Sequence, residues 1–227
     1  MYREPLHQPD HANPLHAHEG KNHATYRQPT SGKQTLTLFP IRLAAVAGLA
    51  AAVVLFVNAA KRAGLIPVSS ATQLAAPLAQ TLAIILVVGL AAGAMRQSSK
   101  FSSISLALNV LGLAAATGVE WVINLVFVGL DPSQITALRT GPLGTAFVAA
   151  SIIFLLGSIL YCMALLRDGK APQIPTIAYA IASIPIALRN LVPELALDVA
   201  LGLLGASVIW LALWMLRNRP AVAAHRV

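Results

Sequence analysis

Six apolar runs, each near the length needed to cross a bilayer, occupy this chain from Phe39 to Leu216. They are residues 39–59, 73–95, 103–130, 142–166, 174–190 and 194–216. A helix rising about 1.5 Å per residue needs about 20 apolar residues to cross a hydrocarbon core about 30 Å thick. Only 11% of the 227 residues are charged, where a soluble domain carries roughly 25%. A mean hydropathy of +0.71 is too high to hide in one globular core of this length, whereas lipid accepts it. The predicted fold class is therefore all-α: a polytopic transmembrane helical bundle of about six spans, with the lipid bilayer as its solvent and partner. The third run is long enough to tilt or to extend beyond the core. The fifth is short and contains Pro185, which predicts a kink or a partial break.

Residues 1–38 differ from the rest. They hold Pro5, Pro9, Pro14 and Pro29 and five of the six histidines, and no apolar period runs through them. This composition predicts a disordered cytoplasmic tail. Residues 39–216 form the membrane domain and 217–227 a short basic tail. The first apolar run starts too late for a secretory signal peptide and reads as an uncleaved anchor. His7, His11, His16, His18 and His23 are weak candidates for metal ligands, because imidazole suits Zn, Ni and Cu. Their spacing matches no closed metal site, and His18 and His23 are five apart rather than the four that a helical zinc motif requires. The lone Cys162 lies in an apolar run and excludes an internal disulfide.

The net charge of +8 would suggest nucleic acid in a soluble protein. Here the distribution points to membrane orientation, and no nucleic-acid partner is expected. With six spans, twelve of the sixteen Lys and Arg residues fall on the side that carries both termini, and Lys61, Arg62, Arg139 and Arg189 fall on the other. The positive-inside bias then places both termini in the cytoplasm of a multi-pass cell-membrane protein.

Acids inside apolar runs are costly and need a reason. Spacing of four puts residues near one helix face. The third run shows Gly112, Ala116, Glu120 and Asn124 at this spacing, and the sixth shows Glu194, Asp198, Gly202 and Ala206. Small residues allow close helix approach, and polar ones prefer that protein-facing side to lipid. Glu120 would lie about 13–15 Å below the outer end of its span, and Asp198 about 6 Å below its own. An outer-half polar site of Glu120, Asn124, Asp198, Glu194, Arg189 and Asn109 is expected, with Arg189 paired to Asp198 or Glu194 rather than to Glu120. Gln73, Gln80 and Thr81, around Pro77, either line the same site or mark a helix start. Gly89 and Gly93 form a GxxxG pair, the pattern of close helix packing within the chain or of a homo- or hetero-oligomer.

Three functional classes fit these residues. One is a non-enzymatic protein handling a small solute or ion through the Glu120 and Asp198 cluster. Another is a structural or regulatory accessory subunit acting by helix–helix contacts. The last is an intramembrane enzyme, which the sequence favours least. No histidine occurs between His23 and His225, so an intramembrane Ser–His pair is ruled out. No GxxxxGK phosphate loop occurs, and nothing in the sequence calls for a cofactor.

The runs GVEWVINLVF at 118–127 and FLLGSILYCMALLRDGKAPQIPTIAYAIASI at 154–184 resemble a family of uncharacterised bacterial six-helix membrane proteins, a domain of unknown function. Its members carry an acid in the third span. Gly157, Tyr161, Arg167, Gly169 and Pro172 stand where its transition between the fourth and fifth spans would be. The resemblance covers about residues 40–216. It implies the six-helix layout and a bacterial inner-membrane location, and it supplies no activity.

Overall fold

The computed structural model describes residues 31–95 and 99–218, with side chains from Pro40 onward. The expected histidine-bearing tail and its metal candidates at residues 7–23 lie outside the described residues, as does most of the basic C-terminal tail. The described chain is helical, with no strand. Its elements are α1 (Ser31–Arg62), α2 (Ser70–Ala75), α3 (Leu78–Ala94), α4 (Lys100–Trp121), α5 (Pro132–Thr140), α6 (Pro142–Asp168), α7 (Gln173–Ala187) and α8 (Glu194–Arg217). A π turn, Val122–Val126, and a 3₁₀ turn, Phe127–Gly129, extend α4.

Five helical stretches are long and apolar enough to cross a membrane: Pro40–Arg62, Ser70–Ala94, Lys100–Gly129, Pro142–Asp168 and Glu194–Arg217. The expected fifth span is shorter. Helix α7 is apolar but has only 15 residues, about 22 Å at the usual rise. Pro185 sits in its last turn, and the chain leaves the helix at Leu188, ahead of Arg189. The second span starts earlier than the apolar run suggests. Ser69 caps α2 in a reciprocal box with Thr72, and α2 and α3 are separated at Ala76–Pro77, where the missing proline N–H interrupts the helical hydrogen bonding. The exposed helix α5 was not expected. Pro132 opens it, and Asp131 and Gln134 cap each other's backbone N–H groups.

The six long or apolar helices pack in chain order as a closed ring. Helix α1 lies on α3, α3 on α4, α4 on α6, α6 on α7, α7 on α8, and α8 returns to α1. Small residues set the spacing. Ala44, Ala45, Ala51 and Ala52 give α1 an almost fully buried face. A Cβ on Gly112 would lie 2.6 Å from the Phe154 backbone, and one on Gly157 would lie 2.6 Å from the Leu108 carbonyl oxygen. Helices α4 and α6 therefore touch backbone to backbone. Gly89 packs against the Ala44 methyl group, as the small-residue pattern predicts. The outward faces stay apolar: Val46, Val53, Ile104, Val148, Ile181 and Val199 are all more than half exposed. A surface this apolar all round the ring suits hydrocarbon rather than water.

Three of the expected packing residues do not pack. Among the described residues nothing lies within 4 Å of where a Cβ would be on Gly93 or Gly202, and Ala206 is exposed. The reason is geometric. A spacing of four overshoots the 3.6-residue turn by about 40° per step, so a stripe from Glu194 to Ala206 swings about 120° round the helix. Gly205 is the glycine on α8 that faces α1, with its Cβ position 3.0 Å from the Phe56 ring.

Candidate functional site

One end of the ring gathers an ionic group from helix termini. Arg62 and Lys61 close α1, Glu120 lies in the last turn of α4, Arg189 follows α7, and Glu194 opens α8. Arg189 Nη1 donates to Glu120 Oε1 at 2.8 Å, and Asn124 Nδ2 donates to Glu120 Oε2 at 2.9 Å. The same Asn124 nitrogen also reaches the Glu120 main-chain carbonyl at 2.9 Å. On its other side Asn124 Oδ1 accepts from Lys61 Nζ at 3.0 Å. The result is a chain of contacts from α1 through the π turn to α4 and on to the loop after α7.

The π turn makes that chain fit. A continuous α-helix would carry Asn124 about 40° round from Glu120. The wider turn at Val122–Val126 opens the helical hydrogen bonding where Asn124 folds back on the Glu120 carbonyl. Such single wide turns are frequent at functional positions of helices. Glu120 is the more sheltered member of its ion pair, with 14% of its side chain exposed against 25% for Arg189.

The expected pairing of Arg189 with Asp198 or Glu194 is not what forms. Arg62 takes both of those acids: Nε lies 3.4 Å from Asp198 Oδ1, and Nη2 bonds Glu194 Oε2. Arg189 sits close to these acids in sequence. It leaves α7 in a turn that carries it to α4, while α1 packs directly on α8 and brings Arg62 to the acids. The two acids expected to form one cluster are thus held by different cations, and the consecutive residues Lys61 and Arg62 join the two groups.

Asn109 is also placed differently. It lies 11 residues before Glu120, about 16 Å down α4, in a separate and fully buried polar group. Ser158 Oγ donates to Asn109 Oδ1 at 3.3 Å, and the Tyr179 side chain faces both. Asn109 Nδ2 has no hydrogen-bond partner among the described residues. Nearby, the buried Tyr161 hydroxyl donates to the Val87 carbonyl at 2.8 Å and ties α6 to α3.

Between these two polar layers lies a cavity of about 70 Å³, room for roughly five waters if each needs at least about 10–15 Å³. All six ring helices or their adjoining turns contribute to its wall. Glu120 and Arg189 stand at one end, and Gln80, Ser151 and Tyr179 are the other polar residues. The rest of the wall is apolar, including Leu55, Ala83, Leu113, Ala116, Phe154 and Leu204. Gln80 Oε1 is buried without a hydrogen-bond partner among the described residues. Of the polar residues around Pro77, Gln80 lines the cavity, whereas Thr81 bonds the Pro77 carbonyl and is exposed.

Lys61 and Arg62 were legible only as outer-side charges, although both end the first span at the depth of the α8 acids. Among the described residues no cluster of three or more His, Cys, Asp or Glu side chains is arranged to hold a metal. The chain matches no family model, no curated protein and no solved structure.

Proposed function

We propose that the chain is a six-span membrane protein with both termini cytoplasmic, and that it binds a small solute in the cavity enclosed by its helices. One observation carries this reading: an apolar cavity, walled by all six helices or their adjoining turns, has a partly exposed ion pair at one end. Binding sites in helical bundles have this composition, a mostly apolar wall with a few placed polar groups. Ionisable residues within membrane segments characteristically face such cavities. Helix α7 with its following turn serves as the short fifth span, and Arg189 supplies its outer end.

Labelling tests cavity and orientation together. In a Cys162→Ser background, an Ala83→Cys variant in intact cells should react with a small membrane-impermeant thiol reagent added outside. Adding Ala116→Phe should suppress that reaction by filling the cavity. Reaction only from the cytoplasmic side would overturn the orientation. No reaction from either side would overturn the accessible cavity.

A second reading, an accessory subunit docking through its helices, has one observation in its favour. Gly93 is exposed on α3, with no described residue within 4 Å of where its Cβ would be. Crosslinking from a Gly93→Cys variant to another polypeptide in native membranes would support it.

A further inference from the structure

We propose that an open groove between α1 and α8 holds an acyl chain of an anionic phospholipid, with the lipid phosphate bound by Arg217 at the end of the ring opposite the ionic group. This site is separate from the enclosed cavity and does not depend on the solute reading.

The two ends of the ring differ in charge. At the end that holds the ionic group, Lys61, Arg62 and Arg189 balance Glu120, Glu194 and Asp198. At the other end stand Arg42, Lys100, Arg167, Lys170 and Arg217. Among the described residues the acid at that end is Asp168, which accepts from Ser102 Oγ. Five cations against one acid draw anionic lipid to this end.

Arg217 gives that attraction a place. It ends α8, and neither Arg217 nor Lys170 has a hydrogen-bond or ion-pair partner among the described residues. A guanidinium with its N–H donors unused can grip a phosphodiester through two parallel bonds. Arg217 lines one end of the groove, whose volume is about 630 Å³ against about 70 Å³ for the enclosed cavity. Phe56 of α1 and Ala206, Trp210, Leu213 and Trp214 of α8 form much of its apolar wall. A smaller cleft of about 190 Å³ shares Trp214 and Asn218 with the groove and is lined by Lys170. No described acid lines the groove or the cleft. The ammonium of a zwitterionic head therefore meets no carboxylate there, whereas a head of net negative charge needs none.

The length of the groove fits a lipid chain. From Ala206 to Arg217 it follows α8 for 11 residues. That is about 16 Å at the usual rise, and one leaflet of a bilayer core is about 15 Å deep. Phe56, Trp210 and Leu213 are exposed, so a chain enters from the surrounding lipid without moving a helix. Trp214 lies one turn before Arg217, where an indole suits the edge of the hydrocarbon.

The chain carries its own reporters. Trp210 and Trp214 line the groove, and Trp121, the third tryptophan, ends α4 beside the ionic group. The test places full-length protein in phosphatidylcholine vesicles and measures tryptophan quenching by phosphatidylglycerol or phosphatidylcholine brominated on the acyl chain. With Trp121→Phe, brominated phosphatidylglycerol should bind at the groove about fivefold more tightly than brominated phosphatidylcholine, as expected of one basic residue engaging an anionic head. Arg217→Gln should remove that preference. Lys100→Gln takes the same charge from α4, across the ring from α8, and should retain it. With Trp210→Phe and Trp214→Phe together, Trp121 should show no preference. Equal binding of the two lipids at the groove, a preference that Trp121 shares, or one that Lys100→Gln lowers as much as Arg217→Gln would overturn the site. Quenching of Trp210 and Trp214 by neither lipid would mean that protein covers the groove, a second copy in the simplest case, and would overturn it as well.

Discussion

At the scale of single residues, Glu120 owes its place in a membrane helix to two partners that arrive from different distances in the chain. Asn124 comes from one turn away and Arg189 from 69 residues away. Hydrogen bonds to charged groups contribute about 1.5–3 kcal/mol each when sheltered. A double-mutant cycle with Glu120→Gln and Arg189→Gln, read by unfolding in mixed micelles, should return a coupling in that range. A coupling near zero would mean that the pair is as weak as a solvated surface ion pair. The Asn124 partner was legible, because spacing of four on a helix predicts it. The Arg189 partner was not, because sequence distance says nothing about which way a turn aims a side chain. Glu194 and Asp198 lie within nine residues of Arg189 and still pair with Arg62.

Glycine exposes the limits of pattern reading on the scale of the helix. Gly89 and Gly93 look alike as a GxxxG pair, yet only Gly89 has a neighbour against it. Gly93→Ala should be neutral or stabilising by up to about 1 kcal/mol, since alanine is the better helix former and nothing opposes it. Gly157→Val should destabilise by at least about 1–3 kcal/mol, because its branched side chain must push apart the α4 and α6 backbones. Thermal unfolding of the two variants in detergent compares them directly, and a stable Gly157→Val protein would contradict the close approach. The apolar runs gave the approximate bounds of the five membrane-length helices because bilayer-length hydrophobicity is a strong signal, whereas the run at 174–190 formed only the 15-residue α7. The split at Pro77, the cap helix after Asp131 and the π turn at Val122–Val126 were harder to read. Each depends on local hydrogen bonding that leaves little trace in hydropathy. The π turn gives its own expectation: Asn124→Leu removes the link between Lys61 and Glu120 and should cost about 1–3 kcal/mol, measured by the same unfolding assay.

For the whole molecule, the ring joins helices in the order in which the chain presents them, and its one long-range seam is α8 against α1. Each of the other contacts around the ring joins helices that follow one another along the chain. During synthesis, five of the six walls are therefore in place while the sixth is still being made. Until α8 arrives, the alanine face of α1 and the apolar lining built around Leu113 and Phe154 lie open to lipid along one side. The last helix turns an open trough into an enclosed chamber. Its first turns also bring Glu194 and Asp198 to Arg62, so the event that shuts the chamber is the one that ties down the final acids. A chain stopped before Glu194 would carry nearly all of the lining and still form no walled cavity, because closure belongs to the full circle and to none of its parts.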